Sequence, residues 1–443
     1  MAMKTKGLGD LLAGNIIFRS LNIACTVLIT FLLTRLMGTG GYGVLSLLVA
    51  NAAIFNLLTC LGAESGITYH YASGIQRKSS LFSIAYLVIL FQIAMIVLAE
   101  GIYHAFSGQY FLGEWNEDNS LLWGLLYFVS IVIIDKYQAF FNAAHLYTMV
   151  NRIIFLASLL SLLVFFYCYF FYPSGNDALY LKIFILASVL QAAYMVLAFH
   201  QKTKQPLSFG RIEKSNWKVF FSYSIIVLIT NIIQFLAYRV DYWFVDYFHG
   251  KEQLGIYSLA VKLGQVLWIL PLLMAGILFP RIAADKTEEE ETIWLKLIRV
   301  ANVFFLIAAA LAALLAGWII PMMAGKAFSE SVIPFIYLLP GLLFFCFNII
   351  FAAYFAGKGL LKINLAGSVL CLSLVLIGDF LLIPHFGIKG AAIASSLAYT
   401  AAGIHHLYRF ASYKKLPVLS VVIINRDDWN AVTHYLRKYT GRT

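Results

Sequence analysis

The sequence predicts an all-α polytopic membrane protein: about a dozen transmembrane helices in two parallel six-helix halves around a central cavity. Three observations predict it: an extreme apolar composition, twelve apolar stretches of membrane-crossing length, and basic residues that fall in alternate connections. Hydrophobic residues occupy 61% of the 443 positions and charged residues 12%, with a mean hydropathy of +0.83. Soluble domains are nearer half apolar and a quarter charged. Strand-type alternation is absent, which argues against an outer-membrane barrel.

A helix needs roughly 20 apolar residues to cross a bilayer. Breaks of charge, Gly, Pro and Asn set the first six stretches at 9–36, 42–72, 78–104, 120–144, 148–172 and 178–200. The second six are 218–247, 253–282, 293–323, 330–356, 361–384 and 388–410. The run after MAMKTKG continues past residue 30 with Arg19 inside it, so it reads as a first span and not as a cleaved signal.

Lysine and arginine orient this frame. With both termini cytoplasmic, inner segments carry 23 of the 32 basic residues, and the outer loops carry only Arg35, Lys251, Lys326 and Lys389. A miscounted span would scramble that bias from the error onward. The formal charge of +11 is thereby explained by topology, with no nucleic-acid partner. The expected location is a bacterial cytoplasmic (inner) membrane.

The longest basic inner connection gives the domain division. Residues 1–200 form an N-terminal six-helix bundle, 201–217 a cytoplasmic linker, 218–410 a C-terminal bundle and 411–443 a basic tail. Six spans per half is an even number, so both halves enter the membrane in the same direction, as a parallel repeat does. Gly38, Gly43, Ser46 and Leu47 recur as Gly250, Gly255, Ser258 and Leu259, all at an offset of 212. In the tail, DDWNAVTHYLRKY has the pattern of a short amphipathic helix lying on the membrane surface.

Polar groups inside spans mark candidate functional faces, because an ionisable group there needs a wet cavity or a partner. Span 1 carries Asn15, Arg19, Asn22, Thr26 and Thr30 at helical spacing. Span 7 carries Asn231, Gln234, Tyr238 and Asp241 with Arg239 beside them. Span 2 has Asn56, Cys60, Glu64 and Thr68; span 4 has Asp135, Lys136, Gln138 and Asn142; span 8 has Ser258, Lys262 and Gln265. The competing reading of each amide and hydroxyl is a helix–helix hydrogen bond. Lys136 has a neighbouring acid in Asp135, Glu100 and Lys182 lie near span ends where they can snorkel, and Asp379 reads as a cavity acid or as the partner of a loop amide. The five cysteines lie in spans at wide spacings, with no CxxC or metal-ligand pattern. No P-loop, GxSxG or HExxH is present, which excludes ATP-driven pumping by this chain and leaves no sign of an enzyme or a cofactor. The acidic run Glu288 to Glu291 reads as a solvated loop.

Three stretches carry a family resemblance: LTRLMGTGGYGVLSLLVA at 33–50, YRVDYWFVDYFHGKEQLGIYSLAVKLGQVLWILPLLMAGILFPRIA at 238–283 and GDFLLIPHFGIKGAAIASSLAY at 378–399. These resemble Wzx-type O-antigen and polysaccharide flippases of the multidrug/oligosaccharidyl-lipid/polysaccharide exporter superfamily. The resemblance implies a transporter that turns an undecaprenyl-pyrophosphate-linked oligosaccharide from the cytoplasmic to the periplasmic leaflet by alternating access. It implies cavity positions at Arg19, Arg239, Lys262 and Lys136, beside Asn22 and Gln234 from the polar stripes. Glu64, Asp135, Asp241 and Asp379 are the candidates for coupling to H+ or Na+. Implied partners are the lipid-linked oligosaccharide, membrane lipids and the polysaccharide polymerase machinery. The alternatives are a cation-coupled multidrug exporter of the same superfamily and a membrane-embedded glycan polymerase or ligase. The short outer loop at 105–119 argues against the last.

Overall fold

The computed structural model describes residues 8–73, 78–113, 119–204, 214–283, 288–425 and 428. Among them there are no strands. The helices are α1 (Leu8–Thr59), α2 (Ala63–Ser73), α3 (Lys78–Ser107), α4 (Ser120–Ala143), α5 (Tyr147–Phe171), α6 (Asp177–Thr203), α7 (Lys214–Gly264), α8 (Ile269–Ala283), α9 (Glu288–Ala324), α10 (Val332–Gly357), α11 (Leu361–Lys414) and α12 (Val418–Val422). Leucine, isoleucine, phenylalanine and alanine fill these segments, and large apolar side chains such as Leu160, Phe171, Leu314 and Phe380 are exposed. That inversion suits a protein whose solvent is lipid.

Nine helices among the described residues are long and apolar enough to cross a membrane. Three of these stretches, Ile17–Thr59, Leu228–Ala275 and Leu361–Lys414, run to 43, 48 and 54 residues. At 1.5 Å per residue even the shortest would be about 65 Å long, twice the ~30 Å hydrocarbon core. Each contains one non-helical glycine: Gly38 (φ 63°, ψ −169°), Gly250 (φ 78°, ψ 178°) and Gly387 (φ 57°, ψ −139°). Each therefore has the length of two crossings joined by a one-residue turn. Each of these three covers two of the stretches read from the sequence.

The first two of these turns explain why the sequence repeats there. Positive φ with ψ near 180° is a region open essentially to glycine alone. Gly38 and Gly250 both occupy it, so their offset of 212 repeats a backbone conformation and not only a residue type. Gly175 (φ 65°) and Gly387 (φ 57°) are a second positive-φ pair at the same offset.

Several sequence expectations change. Span 2 is not one helix. It breaks at Cys60–Gly62, where Leu61 (φ 53°) and Gly62 (φ 68°) turn left-handed, and the Cys60 thiol accepts the Gly62 N–H at 3.3 Å. A helix cannot continue through two left-handed residues, and α2 starts afresh one residue before Glu64. Span 8 also breaks. Residues Gln265–Trp268 wind as a 3₁₀ turn, just upstream of Pro271, whose ring removes an N–H and crowds the preceding turn. Glu100 does not snorkel: it is buried, and its carboxylate accepts the Phe111 N–H at 2.9 Å and the Leu112 N–H at 2.8 Å. The acidic run from Glu288 begins α9 instead of forming a loop, where acids suit the helix dipole.

The chain divides into two compact units, Met1–Phe235 and Leu236–Thr443. The division falls inside α7, and most of the expected linker at 201–217 lies outside the described residues. In the first unit an aromatic and aliphatic cluster from α2 to α6, with Phe82, Tyr137, Phe140 and Phe199 at its centre, forms the core. In the second unit α10 and α11 pack at backbone distance. A Cβ on Gly341 would lie 2.4 Å from Ser396 Cα, and one on Gly403 would lie 2.1 Å from the Phe344 carbonyl oxygen.

The start of the tail is held in place. Arg299 on α9 donates to the Ser420 carbonyl at 2.7 Å and to both oxygens of the buried Asp428 carboxylate at 3.2 and 3.3 Å. The remainder of the expected amphipathic helix lies outside the described residues.

Candidate functional site

Two polar constellations stand out, one in each unit. In the first unit, Asn56 near the end of α1 donates to Asp135 Oδ2 on α4 at 2.6 Å. Gln92 on α3, fully buried, donates to Asn56 Oδ1 at 2.8 Å and to the Thr59 hydroxyl at 3.2 Å. Beyond the Cys60–Gly62 break, Glu64 reaches Lys136, and the two form an ion pair. Residues one apart on a helix do not share a face, so Lys136 pairs with Glu64 and not with Asp135. Its ammonium is wholly enclosed, whereas the Glu64 side chain is 30% exposed. Lys136 is thus a neutralised interior cation, and it presents no open charge to a ligand.

Arg19, on α1, is exposed. Asn22 accepts the Ser158 hydroxyl of α5 at 2.6 Å, and Thr26 and Thr30 return their hydroxyls to carbonyls one turn back. Most of the span 1 stripe is therefore committed within its own unit. A separate groove of about 660 Å³ between α5 and α6 is lined by apolar side chains with Ser161 and Gln191, and no acid or base enters it.

The second unit gathers more of the predicted residues. Arg239 and Asp241 sit two apart on α7, so they project about 200° apart around the helix. On one face, Arg239 donates to Gln265 Oε1 at 3.1 Å and to the Tyr238 carbonyl at 3.2 Å. Its guanidinium lies 4.9 Å from the centroid of the Tyr242 ring, a cation–π contact. Lys262, one turn before Gln265, is exposed and close enough for its charge to repel that of Arg239. No carboxylate lies at ion-pair distance from either cation among the described residues.

On the other face Asp241 is buried. Its Oδ2 accepts the Tyr257 hydroxyl at 2.5 Å and the Ser395 hydroxyl at 3.2 Å. Asp379 on α11 is fully buried, and among the described residues neither of its oxygens nor Asp241 Oδ1 has a hydrogen-bond partner. The two carboxylates feel each other's charge. Asp379 is thus neither the partner of a loop amide nor an exposed acid. Gln234 on α7 is half-buried.

Sequence reasoning missed Tyr242, Tyr257 and Ser395. Tyr257 carried a usable signal: residues 241 and 257 flank the turn at Gly250 at nearly equal distances, so a hairpin closed there brings them together. Ser395 carried none.

A sequence model of the family described as polysaccharide biosynthesis protein matches residues 13–286. The capsular polysaccharide biosynthesis protein CapF of Staphylococcus aureus is 25% identical over 163 residues, covering 36% of this chain and 41% of that protein. The match thus spans less than half the length of that relative. Among solved structures, the lipid II flippase MurJ in an inward closed conformation superposes with a TM-score of 0.69 at 13% identity, over 93% of this chain and 88% of that one. An inward-facing multidrug resistance transporter of the MATE family, from the MOP superfamily, gives 0.65 at 12% identity, over 91% and 99%. At such identities the likeness is one of fold.

Proposed function

Because this chain belongs to the polysaccharide biosynthesis protein family, we propose that it flips undecaprenyl-pyrophosphate-linked oligosaccharide units across the cytoplasmic membrane, from the inner to the outer leaflet, for O-antigen or capsule assembly. The observation that carries the reading is the pair Arg239 and Lys262, two neighbouring cations inside membrane-crossing segments that have no carboxylate at ion-pair distance among the described residues. A diphosphate cannot enter hydrocarbon unpaired. Basic side chains replace its hydration with charge-assisted hydrogen bonds. Arg239 offers a planar fork held in advance by Gln265 and Tyr242, and Lys262 adds a mobile point charge. Arg19 is a further candidate contact. The sugar travels past the polar side chains of the spans and the polyprenyl chain stays in lipid. No covalent chemistry is required, and polysaccharide polymerase machinery is the expected recipient of the product.

Asp241 and Asp379 form the coupling site in this reading. Their three unpartnered oxygens, with the Tyr257 and Ser395 hydroxyls beside them, supply oxygen ligands of the kind a proton or sodium ion takes. Alternating access follows from rocking of two halves that both enter the membrane in the same direction, with both termini cytoplasmic.

The test is a clean deletion. Surface polysaccharide is lost and lipid-linked units accumulate on the cytoplasmic face, and the chain supplied in trans restores both. Normal surface glycan in the deletion, together with new sensitivity to cationic drugs, would replace this reading with that of a multidrug exporter.

A further inference from the structure

Arg239 and Asp241 face away from each other, yet a continuous chain of side chains joins them. Asp241 Oδ2 holds the Tyr257 hydroxyl at 2.5 Å. The Tyr257 ring meets the Tyr242 ring edge-on, with centroids 6.0 Å apart at 73°. The Tyr242 ring in turn lies under the Arg239 guanidinium at 4.9 Å. Tyr242 is 5% exposed and Tyr257 0%, while Asp241 and Ser395 are each 1% exposed. At interior packing density such a row cannot move one member without displacing the next.

We propose that Tyr257 and Tyr242 are positioning residues that transmit cation occupancy at Asp241 and Asp379 to the orientation of Arg239. This rests on the assignments of Arg239 to pyrophosphate and of the carboxylate pair to the coupling cation. A proton or a sodium ion at Asp241 Oδ1 draws charge away from Oδ2, which weakens its hold on the Tyr257 hydroxyl. The phenol then turns toward Ser395, whose hydroxyl already stands 3.5 Å away. Its ring carries Tyr242 with it, and the cation–π support of Arg239 changes. The remaining supports of the guanidinium are two neutral acceptors, Gln265 and the Tyr238 carbonyl, which allow it to swing. The charged and titratable groups around Asp241 are Arg239, Tyr242 and Tyr257 on α7 and Asp379 and Tyr399 on α11. No other base contributes among the described residues. Coupling of this kind is reciprocal, so pyrophosphate at Arg239 shifts cation affinity by the same factor as the cation shifts pyrophosphate affinity.

The experiment uses the full chain in lipid nanodiscs and inorganic pyrophosphate as the probe, which removes dependence on sugar and lipid. Its affinity is measured across a sodium series at fixed pH and across a pH series without sodium. In the wild type one of the two series changes affinity by about ten-fold, within the usual span of such couplings, and the series that moves identifies the cation. Tyr242→Phe keeps the ring and the effect. Tyr242→Leu and Tyr257→Phe reduce it to less than two-fold, read as the ratio of pyrophosphate affinities across the series, so that a loss of affinity common to all conditions does not enter. Wild-type coupling in both of those variants overturns the relay and leaves the functional reading standing. A wild type that does not bind pyrophosphate through Arg239, or binds it without regard to either cation, overturns the reading and the relay with it.

Discussion

The ion pair between Glu64 and Lys136 makes an asymmetric prediction, because its two members differ in access to water. The Lys136 side chain is 0% exposed and that of Glu64 30%. Glu64→Ala leaves an ammonium enclosed among protein atoms with no anion, a change of the kind that costs about 3–5 kcal/mol. Lys136→Met leaves a carboxylate that retains a route to water, and Asp135 keeps its bond from Asn56. That loss is about 1 kcal/mol once solvent screening is allowed for. The double variant Glu64→Ala with Lys136→Met buries no uncompensated charge and falls near the second figure, since apolar replacement of a buried pair is often neutral. The assay is the thermal midpoint of the purified protein in detergent, followed by retention on size exclusion after heating. Glu64→Ala should give the largest drop, and adding Lys136→Met to it should recover most of the difference. Equal losses in the two single variants, or a double variant worse than Glu64→Ala, would refute the reasoning.

Three further outcomes are expected. Arg239→Gln lowers export by roughly ten- to a hundred-fold through loss of a charge-assisted contact, and adding Asp241→Asn does not restore it, because Arg239 bonds Gln265 while Asp241 bonds Tyr257 and Ser395; recovery in the double variant would mark the two as a structural pair. Gly38→Ala and Gly250→Ala each lower stability by about 1–3 kcal/mol, seen as a reduced thermal midpoint. The space around both glycines is open, so the loss is purely conformational and Ser should give the same. Reporters fused after Gln201, Lys286 and Lys415 read as cytoplasmic and those at 250–252 as periplasmic; a periplasmic signal at 201–218 would break the two-half topology.

What the sequence made legible follows from locality. Helix positions, the glycine repeat and the polar stripe on span 7 all depend on residues a few positions apart, and each can be read by counting. The break at Cys60–Gly62 left a trace in the Leu61–Gly62 pair, but a left-handed leucine runs against its own preference, so propensity gave no warning. Lys136 could not be matched to Glu64 by spacing, since the pair lies 72 positions apart and the neighbouring Asp135 was the nearer decoy. The same holds for Asp241 and Asp379. Each was visible as an acid within a span, but their approach depends on how α7 and α11 pack, which no short-range pattern records. Gln265 and Lys262 could be read as one polar face of span 8, but that this face meets Arg239 of span 7 depends on how the two arms of α7 pack.

The interruption before α2 bears on how the chain enters the membrane during synthesis. Ala63–Ser73 is an 11-residue helix, about 16 Å long, roughly half the hydrocarbon thickness. It also carries Glu64 in its first turn, and an acid within an apolar segment disfavours release from the translocon into lipid. Such a segment cannot partition by itself. It must remain beside the long helix before it until α4 emerges with Lys136, some seventy residues later. Insertion of this region is therefore a cooperative event involving four helices, and a chain stalled before α4 exposes an unmatched acid that membrane quality control can recognise.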